Sequence, residues 1–87
     1  MREYGLIAFR SRQHAISFYN QSKIRTRLTI MSTPREISYG CGLSIKFSFS
    51  YIDIIKRELC RKRYLLIQGV YHVQSDGCKN TFTLLTL

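Results

Sequence analysis

Acidic residues are scarce in this chain of 87: five Asp and Glu stand against fourteen Lys and Arg, for a formal charge of +9. Such an excess draws polyanions or an acidic protein partner. Tryptophan is absent and proline occurs once, as Pro34, so Tyr, Phe and aliphatic residues must supply core bulk. No apolar run approaches a membrane span. The opening MREYGLIAFRS lacks the apolar stretch and small-residue cleavage site of a secretory signal. The three cysteines, Cys41, Cys60 and Cys78, are odd in number and form no CxxC pair, which argues against a disulfide framework and a spacing-coded zinc site. A reducing, cytoplasmic setting is therefore expected. His14 and His72 stand apart from other ligand residues, so neither a metal site nor a cofactor is expected. Paired carboxylates, a Ser-His-Asp order and a phosphate-cradling glycine loop are also missing, which disfavours conventional hydrolases and nucleotide-dependent enzymes.

What is present suits one small domain over residues 1–74 with a tail over 75–87. Glu3 to Phe9 reads as a buried central strand. Ser11 is placed to cap a following helix with Ala15, Ile16, Phe18 and Tyr19 on one face, ending near Lys23. Lys23 to Met31 then alternates as a strand, with Ile24, Leu28 and Ile30 on one side and Arg25, Arg27 and Thr29 on the other. In Leu43 to Phe49 the alternation is clean, directing Ser44, Lys46 and Ser48 away from the core. Ser50 and Asp53 resemble a capping box for a second helix reaching about Arg61, where Cys60 lies in the core or on the helix flank. Tyr64 to Val73 supplies another strand, with Gly69 marking a bulge. The order β-α-β-loop-β-α-β predicts an α+β, ferredoxin-like sandwich: an antiparallel sheet with two helices on one face. After the turn signal Ser75-Asp76-Gly77, the uncharged TFTLLTL predicts an extra C-terminal strand or an oligomerisation segment, a homodimer being one outcome.

The one irregular segment is Pro34 to Gly42, PREISYGCG. Pro lacks an amide hydrogen and Gly tolerates positive φ, so regular structure breaks here. Cys41 sits between Gly40 and Gly42, which give its thiol little steric cover. Amides of a glycine turn, with Arg35 close in sequence, favour a thiolate. An inert thiol in a tight turn is an equally good reading of local composition. Arg35 reads equally as a solvated charge or a salt-bridge partner of Glu36, and Ser38 reads first as a turn-former. Cys78, beside Lys79, is a candidate resolving thiol or a surface thiol.

The segment PREISYGCGLSIKF, through Pro34, Arg35, Ile37, Ser38 and Cys41 to Leu43, together with the opening YGLIAF, resembles the selenium or sulfur carrier-like family. The resemblance spans roughly residues 3 to 73. It implies a cysteine, matched here by Cys41, that holds sulfur or selenium as a persulfide or selenosulfide and passes it on. Arg35 would stabilise the anion, Gly40 and Gly42 would admit the donor, and Ser38 would hydrogen-bond the loop or the sulfur. The implied partners are a donor protein such as a cysteine desulfurase and an acceptor protein, making the chain a carrier more than a turnover enzyme. The alternatives are an RNA-binding module, in which sheet aromatics stack on bases and cations meet phosphates, and an adaptor that selects an acidic partner.

Overall fold

The computed structural model describes residues 2–37, 42–61 and 67–85, with Gln68 described by its backbone alone. Along the chain run β1 (Arg2–Phe9), α1 (Arg12–Gln21), β2 (Thr29–Ser32), β3 (Leu43–Phe47), α2 (Ile52–Arg61), β4 (Ile67–Ser75) and β5 (Asn80–Leu85). The strands form one sheet in the order β2-β3-β1-β4-β5, antiparallel at every junction. Two β-α-β units interleave, β1 lying between β3 and β4. This is the expected α+β, ferredoxin-like arrangement, extended at one edge by β5.

Packing follows strand parity. From β1, Ile7 and Phe9 meet Ala15 and Phe18 of α1, Ile55 and Leu59 of α2, and Ile45, Phe47 and Val70 of the flanking strands. Leu6 and Ala8 point the other way, into a second cluster with Val73 and with Ile37 from the β2–β3 connection. Both faces of β1 are therefore covered, which is why its sequence is a continuous apolar run and not an alternation. Complete burial of a Phe or Ile side chain contributes about 1.5–3 kcal/mol, so Phe9, Phe18 and Phe47 are principal contributors to stability.

Local details depart from the sequence reading. The stretch from Lys23 is not a strand. A 3₁₀ turn at Arg25–Arg27 comes first, closed by Arg27 N–H to the Ile24 carbonyl (2.7 Å) and Leu28 N–H to the Arg25 carbonyl (3.1 Å), and β2 starts at Thr29. The chain needs this turn to descend from α1 to the sheet edge and bury Leu28. Ser11 occupies the N-cap position with extended backbone, but its side chain makes no capping bond. The expected box at Ser50 and Asp53 is replaced by a 3₁₀ turn, Phe49–Tyr51, ahead of α2, and the Ser48 and Ser50 hydroxyls bond each other at 3.0 Å. Ser44 is 0% exposed, against the expected solvent-facing side, because the β2–β3 connection covers that face. Cys60 is exposed, on the helix flank. The bulge falls one residue before Gly69: Ala8 pairs with Gly69 and Phe9 with Ile67, leaving Gln68 as the extra residue.

Candidate functional site

Proline begins the β2–β3 connection and organises its first turn, the Pro34 carbonyl accepting the Ile37 N–H at 3.1 Å. Ile37, 8% exposed, is seated against Leu6, Ala8 and Val73. The base of the connection is closed twice. The Thr33 N–H donates to the Gly42 carbonyl at 2.8 Å, and the Thr33 and Ser44 hydroxyls bond at 2.6 Å. Gly42 adopts φ +83°, a left-handed conformation that side-chain-bearing residues rarely take. The connection is thus joined at its neck and anchored by Ile37. Ser38, Gly40 and Cys41 lie outside the described residues, between that anchor and Gly42.

Charge gathers beside the anchor. Arg35 and Glu36 are exposed, and Lys46 places Nζ 4.5 Å from the Tyr4 ring centroid, a cation–π contact. Burial first, then the negative charge of Glu36, push the Tyr4 hydroxyl above its ordinary pKa of 10.0. Positive potential from Lys46 and Arg35 therefore coexists with one nearby carboxylate.

Cys78 is exposed in the β4–β5 turn. There Asp76 Oδ1 accepts the N–H groups of Lys79 (2.9 Å) and Cys78 (3.3 Å), and these bonds, Lys79's first, hold the Asp76 carboxyl below its usual range. The turn follows Ser75, which pairs with Arg2, whereas Gly42 continues β3 beyond Ser44, which pairs with Ala8. At about 3.3 Å per residue, roughly 25 Å of sheet separates Gly42 from Cys78. Among the described candidates, Arg35 and Gly42 belong to one connection and Cys78 to the opposite end.

Three groups escaped sequence reasoning. Glu58 is buried in α2 and accepts the Ser22 hydroxyl at 2.6 Å and the Lys23 N–H at 2.9 Å. Its helical phase with Ile55 and Leu59 was the available signal. The contact joins the basic stretch at Lys23, Arg25 and Arg27 to the basic helix α2, regions that look separate in sequence. His72 Nε2 lies 2.7 Å from Glu3 Oε1, and its ring stacks on Phe49 at 4.0 Å. Thr33 and Ser44, the neck pair, carry no sequence signal beyond small polar residues at a strand end. Among the described residues no cluster of His, Cys, Asp or Glu is arranged to hold a metal ion, and no helix is long and apolar enough to cross a membrane.

A family model described as "Putative Se/S carrier protein-like" matches residues 4–72. The chain belongs to this family. The Se/S carrier-like match begins in β1, spans both helices and the connection that holds Arg35, Ser38, Gly40, Cys41 and Gly42, and ends in β4. The turn with Cys78 and strand β5 lie beyond it. No curated protein and no solved structure matches the chain.

Proposed function

We propose that this protein carries sulfur or selenium on Cys41 as a persulfide or selenosulfide, in the cytoplasm, between a donor protein of the cysteine desulfurase type and an acceptor protein. The observation that carries the reading is the joined neck at Thr33 and Gly42, which holds the ends of the cysteine-bearing segment within the family match. A segment tethered at its neck and at Ile37 can present a side chain to a partner without unfolding the sheet.

In loading, the Cys41 thiolate attacks the outer sulfur of a donor persulfide. A new S–S bond forms on Cys41, the donor's S–S bond breaks, and its electron pair leaves on the donor cysteine as a thiolate. No external oxidant is needed. Discharge repeats the exchange in reverse sense: an acceptor nucleophile takes the outer sulfur and Cys41 returns as thiolate. Arg35 lowers the cost of the anionic forms, Gly40 and Gly42 leave room for the donor, and Ser38 donates a hydrogen bond.

RNA binding is the second reading, drawn from Tyr4, Lys46, Tyr71 and Phe82, which share the sheet face away from the helices. Ile37 packs into that face, occupying space into which bases would stack. Incubation with a cysteine desulfurase and cysteine, followed by mass spectrometry, tests the carrier. A reductant-labile sulfur adduct on Cys41, absent in Cys41→Ser, is expected. An unmodified Cys41, or equal loading of Cys60 and Cys78, overturns it, and salt-dependent binding of single-stranded RNA that is indifferent to Cys41→Ser favours the alternative.

A further inference from the structure

Among the described residues β5 is an edge strand, hydrogen-bonded to β4 on one side with no further strand beyond it in the sheet. Every second residue along such a strand directs its N–H and C=O outward, a template for another strand. Sheets usually guard such edges with charge, proline or a bulge. β5 has none of these: residues Asn80–Leu85 are uncharged, lack proline and pair with β4 in unbroken register from Ser75–Asn80 to Val70–Leu85. Its most exposed apolar side chain, Leu84, is 62% exposed.

We propose that β5 is a homodimer interface in which two copies pair antiparallel, about a two-fold axis through Thr83, to make one continuous sheet. An axis perpendicular to the sheet keeps equivalent faces together, so only registers that oppose residues of the same parity are allowed. Centring on Thr83 sets Phe82 opposite the partner's Leu84, and Leu84 opposite the partner's Phe82, on the face away from the helices. Each exposed leucine thereby gains an aromatic cross-strand neighbour. Net charge of +9 would ordinarily oppose self-association. In this register the nearest cation in sequence, Lys79, lies four positions from the axis in each copy. The two ammonium groups are then separated by roughly 27 Å, well beyond the screening length of about 8 Å at physiological salt. A basic partner copy is accommodated at this edge because the strand itself is uncharged.

The inference is independent of sulfur carriage, since β5 lies outside the family match. Its test uses the full chain in sedimentation equilibrium over a concentration series, with circular dichroism to confirm folding. Thr83 is exposed, so both Thr83→Lys and Thr83→Glu can be accommodated, and each places like charges directly opposite at the axis. The wild-type chain is expected to dimerise, each variant alone to weaken association at least tenfold, and an equimolar mixture of the two to restore it as a heterodimer. A monomeric wild type, or variants that associate as the wild type does, overturns the proposal. Weakened variants without restoration on mixing overturn the Thr83-centred register.

Discussion

The Thr33 amide and the Gly42 carbonyl, 2.8 Å apart, close the connection between β2 and β3 immediately beyond the last ladder pair, Ser32 with Leu43. A second clasp lies beside the first: the hydroxyls of Thr33 and fully buried Ser44 bond at 2.6 Å. Because each hydroxyl satisfies the other, Ser44→Ala should cost about 1–2 kcal/mol by leaving Thr33 Oγ1 unpaired. Thr33→Val with Ser44→Ala should cost little more than either alone, since both partners then vanish together. Urea denaturation of the two single variants and the double variant checks this, and additive losses would contradict the mutual pairing.

Two glycines should fail for different reasons when replaced by alanine. At Gly42 an added Cβ would meet nothing within 4 Å, so the cost is purely conformational, about 1–2 kcal/mol for a side-chain-bearing residue at φ +83°. At Gly5 the Cβ would collide with the Phe47 ring, which crosses β1 there. Phe47 is buried in the helix-side core, so its ring must shift within packed surroundings, and Gly5→Ala should cost about 1–3 kcal/mol. Replacing Phe47 with Leu in the Gly5→Ala background should recover part of that loss, while Gly42→Ala should gain nothing from it. Thermal or urea unfolding of the four chains separates steric from backbone cost.

The α+β, ferredoxin-like class was legible because β1 and β3 carry strong, short apolar patterns and two stretches of helical spacing separate the strands. The misread stretch from Lys23 to Leu28 shows where pattern fails: Ile24 and Leu28 share strand parity, but they also suit a turn that buries Leu28 in the helix-side core, and parity alone does not choose between the two. Ser44 was misread for a related reason. Alternation identifies the two sides of a strand without saying whether the second side is covered, and Ile37, which covers it, lies in a connection with no periodicity. Of the candidate site, Cys41 was singled out by its glycines and by family resemblance, while the clasp that tethers its segment depends on two hydroxyls whose pairing no spacing rule specifies.

Glu58 ties α2 to the segment that follows α1. It accepts from the buried Ser22 hydroxyl and the part-buried Lys23 amide, and charge-assisted bonds of this kind contribute about 1.5–3 kcal/mol each. Glu58→Ala should lower unfolding stability by about 3 kcal/mol, the Lys23 N–H being left without its acceptor. Glu58→Gln, which keeps the shape and one carbonyl acceptor, should fall between the two. Equal stability of the alanine variant and the wild type would show that water satisfies these groups instead.

Tyr4 links stability to alkaline pH. Its folded pKa is raised above 10.0, by burial and then by Glu36, so near and above pH 10 the folded chain holds a proton that the unfolded chain releases. Stability should be undiminished by this group below pH 10 and should fall as pH rises through the folded pKa. Removing the carboxylate with Glu36→Gln should move the Tyr4 titration downward, though not back to 10.0, because burial, the larger cause, persists. Ultraviolet difference titration against a Tyr4→Phe reference isolates the group, and an unchanged midpoint in Glu36→Gln would remove the carboxylate from the account.

The separation of Gly42 from Cys78 bears on how a loaded Cys41 would be discharged. Adjacent Cα atoms are about 3.8 Å apart, and a disulfide needs Cα atoms within about 7 Å. Cys41 is bonded to Gly42, whose carbonyl is held by Thr33, so a span of roughly 25 Å to the turn at Asp76–Lys79 cannot be bridged while the neck is closed. Mild oxidation should therefore yield no intrachain Cys41–Cys78 peptide, and Cys78→Ser should leave desulfurase-dependent loading of Cys41 unchanged. Discharge of a loaded Cys41 would then fall to a nucleophile on the acceptor, making sulfur release first-order in acceptor, first-order in loaded carrier and independent of Cys78. Peptide mapping of the oxidised monomer under non-reducing conditions decides the point: a Cys41–Cys78 linkage would mean that the neck opens on the timescale of thiol exchange, and Cys78 would then take the resolving role.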